Sequence, residues 1–157
     1  MKHILFLLCI FPIIFAKDEN TCTCGHILYN HYRPTSMNEE NFFYSEGPGC
    51  SRNFTCKLST ETYFLSIWEE TEIAKPPDAG SDAIIIRANK AGVEKTEIYG
   101  NLMNLFGIVC ENSKWYITKY PYGYEYDTTN WKIVSVNASE VACKPYKSAI
   151  YDIYCAE

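Results

Sequence analysis

Seven cysteines lie beyond the first apolar run of this 157-residue chain: Cys22, Cys24, Cys50, Cys56, Cys110, Cys143 and Cys155. Thiols at such spacings do one of two things: they pair as disulfides or they ligate metal. Cys22, Cys24, His26 and His31 can be drawn as zinc ligands, but Cys-x-Cys-Gly-His followed by a second His after four intervening residues matches no standard zinc spacing. Disulfides are the expected chemistry, with no metal and no cofactor. Cys22 and Cys24 are too close to bond each other without strain, so each reaches outward. The simplest arrangement joins them to Cys50 and Cys56 and then Cys110 to Cys143, one connectivity among many that the order allows. Cys155 is then the odd thiol, free or bonded to another chain, so a disulfide-linked dimer is one expected outcome.

Catalytic signatures are sparse. There is no Gly-x-Ser-x-Gly elbow, no phosphate-cradling loop, no His-Glu-x-x-His and no calcium loop. A cysteine–histidine nucleophile needs a reduced thiol beside His26 or His31, and Cys155 is the only spare. The carboxylate pairs Glu39–Glu40 and Glu69–Glu70 are chain neighbours, which in a strand point to opposite faces. No enzyme activity is expected from these groups. Tyr120, Tyr122, Tyr124 and Tyr126 fall on alternate positions, with Trp131 just beyond. In an extended chain their rings would line one face, a flat apolar surface with polar tips that suits a protein or a sugar. Pro121 and Gly123 argue against one continuous strand.

The leader sets the compartment. Lys2 precedes an apolar run from Ile4 to Phe15, and Ala16 is a small residue before the polar stretch Lys17-Asp18-Glu19-Asn20. Residues 1–16 therefore read as a secretory signal peptide that removes Cys9, and residues 17–157 as one secreted, extracellular domain. Asn53-Phe54-Thr55 and Asn137-Ala138-Ser139 are N-glycosylation sequons. The chain carries 14 Lys and Arg against 19 Asp and Glu, a formal net charge of −5, and loss of Lys2 makes the remainder more acidic still. That charge disfavours nucleic acid and anionic lipid as partners. No second apolar run approaches the roughly 20 residues of a membrane span.

The elements that must position these groups read as strands. Phe54 to Leu58 alternates apolar with polar residues. Thr62–Trp68, Ala83–Ile86, Glu97–Tyr99, Phe106–Cys110, Trp115–Tyr120 and Lys132–Val136 are further strand segments. Asn112-Ser113 is a hairpin turn between two of them. Gly47-Pro48-Gly49 and Pro76-Pro77-Asp78-Ala79-Gly80 break the chain. Met37 to Tyr44 is expected as a short helical turn and Pro145 to Tyr154 as a last edge strand. Thirteen Tyr and eight Phe suit half-buried pleated surfaces. The fold class is all-β, a disulfide-stabilised, β-sandwich-like single domain.

Several of these segments carry a resemblance: Cys22-Thr23-Cys24, then Cys50, then Phe54-Thr55-Cys56 leading a strand. After them come Gly107-Ile108-Val109-Cys110-Glu111-Asn112-Ser113-Lys114-Trp115 and Ile133-Val134-Ser135-Val136 closing towards Cys143. In this order the chain resembles a nematode secreted six-cysteine domain family of unknown function, over about Cys22 to Cys143. Asn137 to Val141 lengthen the end relative to that pattern, and Cys155 lies outside the six. The resemblance implies secretion and a disulfide-tied domain, and no catalytic or binding residues.

Three functions remain. The first is a secreted, non-catalytic domain that binds an extracellular protein or glycan through its tyrosine-rich loop. The second is a small secreted hydrolase whose acidic groups only the fold brings together. The third is a structural matrix component crosslinked through Cys155.

Overall fold

The computed structural model describes residues 21–27, 42–56, 61–88, 100–142 and 144–156. Ten strands, two short α-helices and one 3-10 turn, Trp68–Glu70, occur among them. Phe42–Glu46 (β1) and Arg52–Cys56 (β2) form a hairpin across the Gly47-Pro48-Gly49 turn. Glu61–Ile67 (β3), Ala83–Arg87 (β4), Tyr124–Asp127 (β7), Ile133–Val136 (β8) and Asp152–Ala156 (β10) form a five-stranded antiparallel sheet in the order β10-β3-β4-β7-β8. Val109–Glu111 (β5), Lys114–Ile117 (β6) and Ser148–Ala149 (β9) form a third sheet. Leu102–Phe106 (α1) and Ala138–Val141 (α2) are single turns of helix.

One hydrophobic cluster joins all three sheets and both helices, so the chain is an all-β single domain. Its centre is aromatic. Phe64 of β3 packs edge-on against Phe106 of α1 at 4.6 Å and Phe54 of β2 at 6.0 Å. Period-two patterning produces this directly. In β3, Thr62, Phe64 and Ser66 are buried, while Tyr63, Leu65 and Ile67 are half-exposed on the outer face.

Local signals place several expected elements correctly. Asn112 and Ser113, at φ 49° and 64°, close the β5–β6 hairpin with two left-handed residues. The tail does supply an edge strand, β10. Other expectations need correction. Phe42 to Tyr44 is strand, not helix, because β1 is held by full pairing with β2. Phe106 ends a helix instead of starting a strand: the Asn101 side chain accepts from the Met103 N–H at 2.9 Å, and Gly107 closes the turn at φ 56°. Residues 1–16, Glu39, Glu40, His31 and Glu97–Tyr99 lie outside the described residues, so the leader expectation does too.

The sulfur pairing also differs from the simplest arrangement. Cys22 bonds Cys50, but Cys24 bonds Cys110 and Cys56 bonds Cys155. The stretch around Cys24 runs beside the β5–β6 hairpin, where Trp115 Nε1 donates to the Gly25 carbonyl at 2.8 Å. That sets Cys24 against Cys110 and not against Cys56. Cys155 is on the inner side of β10, opposite Thr62, and is 2% exposed. It is therefore neither free nor available to a second chain. The expected Cys110–Cys143 bond does not form, since Cys110 is taken; Cys143 itself lies outside the described residues. Three disulfides fit an oxidising compartment. Cys22, Cys50 and Cys110 sulfurs gather within 4.8 Å, but all three are consumed in disulfides. No helix among the described residues is long and apolar enough to cross a membrane.

Candidate functional site

The tyrosine run does not form the face its spacing suggested. Tyr120, Tyr124 and Tyr126 are buried. Tyr124 and Tyr126 belong to β7, which lies between β4 and β8 and turns these even positions into the core, while Tyr120 lies before that strand. Tyr124 and Tyr126 meet Trp68 edge-on at 6.3 and 6.0 Å. The Tyr126 hydroxyl donates to Asp78 at 3.1 Å, and Tyr120 shares a hydrogen bond with Ser148 at 2.7 Å. Of the five aromatic residues expected at a binding surface, only Tyr122 (49% exposed) and Trp131 (90% exposed) face solvent. They sit at opposite ends of the β7–β8 hairpin, so they make no joint site.

Burial pushes the Tyr120 phenol up to about 12, opposed in part by its hydrogen bond to Ser148. Burial also raises Tyr124. The folded state thus prefers neutral phenol at Tyr120. That share of stability is complete below pH 10.0, the ordinary value, and is lost as pH climbs toward about 12. Alkaline titration should therefore show tyrosinate absorbance rising together with loss of circular dichroism in that window. Tyr120→Phe should weaken the coupling. Complete titration near pH 10.0 with the fold intact would contradict the burial of this ring.

A polar cluster that the sequence did not reveal joins four separate segments. The His26 and Tyr44 rings lie 4.4 Å apart. The Tyr44 hydroxyl donates to Glu46 Oε1 at 2.6 Å, and His26 Nε2 is 3.9 Å from the same oxygen. Arg52 Nη1 donates to the Gly49 and Ser51 carbonyls at 3.1 and 2.8 Å, and its guanidinium lies 5.7 Å from the Trp115 ring centroid. Arg52 Nε is 3.4 Å from Glu46, an ion-pair distance without hydrogen-bond geometry. The Tyr44 hydrogen bond, then the Arg52 and His26 charges, hold the Glu46 carboxyl below its ordinary value. Burial, then Glu46, raises Tyr44. These groups spend their bonds on one another and on the Gly49 turn, so the cluster is a clamp. All six described cysteines are in disulfides, which leaves His26 no thiol to activate among them. Glu70 of the expected carboxylate pair is held by Lys114 at 2.5 Å.

The surface best built for contact is the β8 side of the five-stranded sheet. Among the described residues β8 pairs only with β7, so its far edge presents backbone donors and acceptors. Trp131, at φ 60° in the turn before β8, and Ile133, 62% exposed, flank this edge. Ile133 continues onto the outer face, where a transverse row crosses all five strands. Tyr154 of β10 stacks on Tyr63 of β3 at 4.5 Å, and Arg87 of β4 lies 5.3 Å from the Tyr63 ring centroid. Arg87 Nε donates to Glu125 of β7 at 2.6 Å, and Ser135 of β8 donates to the same carboxylate at 3.1 Å. The row stiffens the sheet behind the edge. A sequence signal for the edge did exist, since Trp131, Ile133 and Ser135 share the parity of an outward face. The row itself left none, because its members are far apart in the chain.

Both sequon asparagines are exposed. Asn53 alternates with buried Phe54 on β2. Asn137 precedes α2, with its backbone N–H donating to Glu140 Oε1 at 3.1 Å. Comparison with known proteins gives one family and no further relative: no curated protein and no solved structure shows a significant match. The family model described as TRA-1 regulated protein R03H10.4 matches residues 20–155. It agrees with the resemblance at the level of a nematode family of unknown function. With nearly all of its length matched, the chain belongs to the TRA-1 regulated protein R03H10.4 family.

Proposed function

We propose that this chain is a secreted, non-catalytic interaction domain that binds an extracellular protein by accepting one of its strands along β8. The observation that carries this reading is Trp131, 90% exposed at the head of an open sheet edge. An indole in water contributes nothing to the domain's own core. At an interface, Trp is among the residues most enriched at energetic hot spots. An open edge supplies main-chain hydrogen bonds to an incoming strand, while side chains beside it set specificity. Ile133 and the half-exposed outer face supply the apolar contact. The apolar leader and the three disulfides support secretion, and the exposure of Asn53 and Asn137 suits glycan attachment. A glycan on Asn137 would stand just beyond Val136 and bound the docking edge at that end.

The test is affinity capture from native extracellular fractions, run with the mature protein and with a Trp131→Ala, Ile133→Lys variant. The variant should keep its melting temperature, because neither side chain is buried, and should lose the captured protein. Removal of a Trp anchor typically weakens binding at least thirtyfold, about 2 kcal/mol or more. Equal capture by both proteins, or selective binding to a glycan array in place of protein, would contradict the reading.

A further inference from the structure

A pocket of about 330 Å³ opens between α1 and α2. Leu105 and Val141, from the two helices, and the Tyr120 ring and Pro121 give it apolar walls. The Tyr120 hydroxyl is already bonded to Ser148, so its ring serves as wall and not as donor. Among the described residues, the charged side chains that line the pocket are Lys119 and Lys144. In an acidic chain that pairing is notable. Among the described lysines and arginines, Lys119, Lys132 and Lys144 alone have no carboxylate at ion-pair distance. Two of those three meet at this one rim. Lys119 Nζ makes a long contact of 3.4 Å to the Asn104 carbonyl, and Lys144 Nζ lies 5.4 Å from the Tyr146 ring centroid. Both ammonium groups therefore keep donors for a ligand.

We propose that this pocket binds a free, medium-chain aliphatic carboxylate, its chain lying on Leu105 and Val141 and its head between Lys119 and Lys144. The size lies within the range of small-ligand sites, which combine apolar walls with a few polar groups that fix orientation. Apolar burial supplies the affinity, and the two cations select the charge of the head. A carboxylate accepts from both ammonium groups, whereas an alcohol gains much less and a quaternary ammonium is repelled.

The experiment titrates the mature, oxidised protein with decanoate, decanol and decyltrimethylammonium, followed by calorimetry and by the methyl NMR signals of Leu105 and Val141. Decanoate should saturate one site and shift those methyls. Decanol should bind about tenfold more weakly, and the cation should leave the methyls unmoved. Lys119→Gln with Lys144→Gln should bring decanoate down to the affinity of decanol, with the melting temperature kept. Vesicles containing phosphatidylserine should not shift the methyls, which separates a soluble ligand from a membrane headgroup. Equal binding of the three head groups, no saturation by decanoate, or methyl shifts from vesicles alone would each overturn the proposal. The head-group comparison needs no variant, so it stands even if the lysine changes disturb the fold. Loss of protein capture at β8 would not alter this result, nor the reverse.

Discussion

Replacing both Cys56 and Cys155 by serine is expected to lower the unfolding free energy by about 3–5 kcal/mol without changing the oligomeric state. The bond spans 99 residues, the longest closure among the described residues, and ties the inner side of β10 to β2. Releasing it returns more conformational freedom to the unfolded chain than release of a shorter loop does. The Cys22–Cys50 bond spans 28 residues, so chain-closure entropy makes its loss about 1 kcal/mol less damaging. Both partners of the longer bond are also buried, and serine there leaves hydroxyls in the core. Guanidinium unfolding of the oxidised variants gives both values, and non-reducing gels give the oligomeric state. A Cys155 variant as stable as the parent, or a disulfide-linked dimer of the parent that Cys155→Ser abolishes, would contradict the buried position of Cys155.

Gly123→Ala should cost about 3 kcal/mol or more, the strain of a left-handed alanine adding to a backbone clash. Gly123 is the last residue of the Tyr120–Gly123 turn, its N–H donating to the Tyr120 carbonyl at 3.0 Å and its φ at 80°. A Cβ built there runs into the Val136 carbonyl oxygen and lies 2.8 Å from the Asn137 carbonyl carbon. Those atoms are backbone, at the last residue of β8 and the residue after it. Relief therefore requires breaking the Tyr124–Val136 register. Thermal unfolding should show the loss, and amide exchange should show faster opening of β7 and β8 than of β3 and β4. A melting temperature unchanged by the substitution would mean that this turn is not as described.

Gly123 also explains why part of the surface was legible in the sequence and part was not. The alternation of Tyr120 to Tyr126 is real, and it does place Tyr124 and Tyr126 on one face. Period alone cannot say which face is inside. That depends on β4 and β8 flanking β7, and those neighbours come from distant parts of the chain. Local chemistry was easier to read. Asn112-Ser113 is a hairpin turn wherever it falls, and Phe54 with Cys56 must point the same way. The helix at Leu102–Phe106 had signals of its own in Asn101 and Gly107, but five residues are too few for a periodic pattern. The sulfur connectivity was beyond reach because it depends on which strand packs over which. Cys155 looks like a tail residue until β10 pairs with β3. The clamp around Arg52 and the row from Tyr154 to Ser135 were hidden for the same reason.

Three crosslinks tie the sheets together around the core behind the β8 edge. Proteolysis of the non-reduced protein followed by mass spectrometry of linked peptides tests them directly. The expected result is linkage of Cys22 to Cys50, Cys24 to Cys110 and Cys56 to Cys155 within one chain. A peptide joining Cys110 to Cys143, or Cys155 to a second copy, would contradict it.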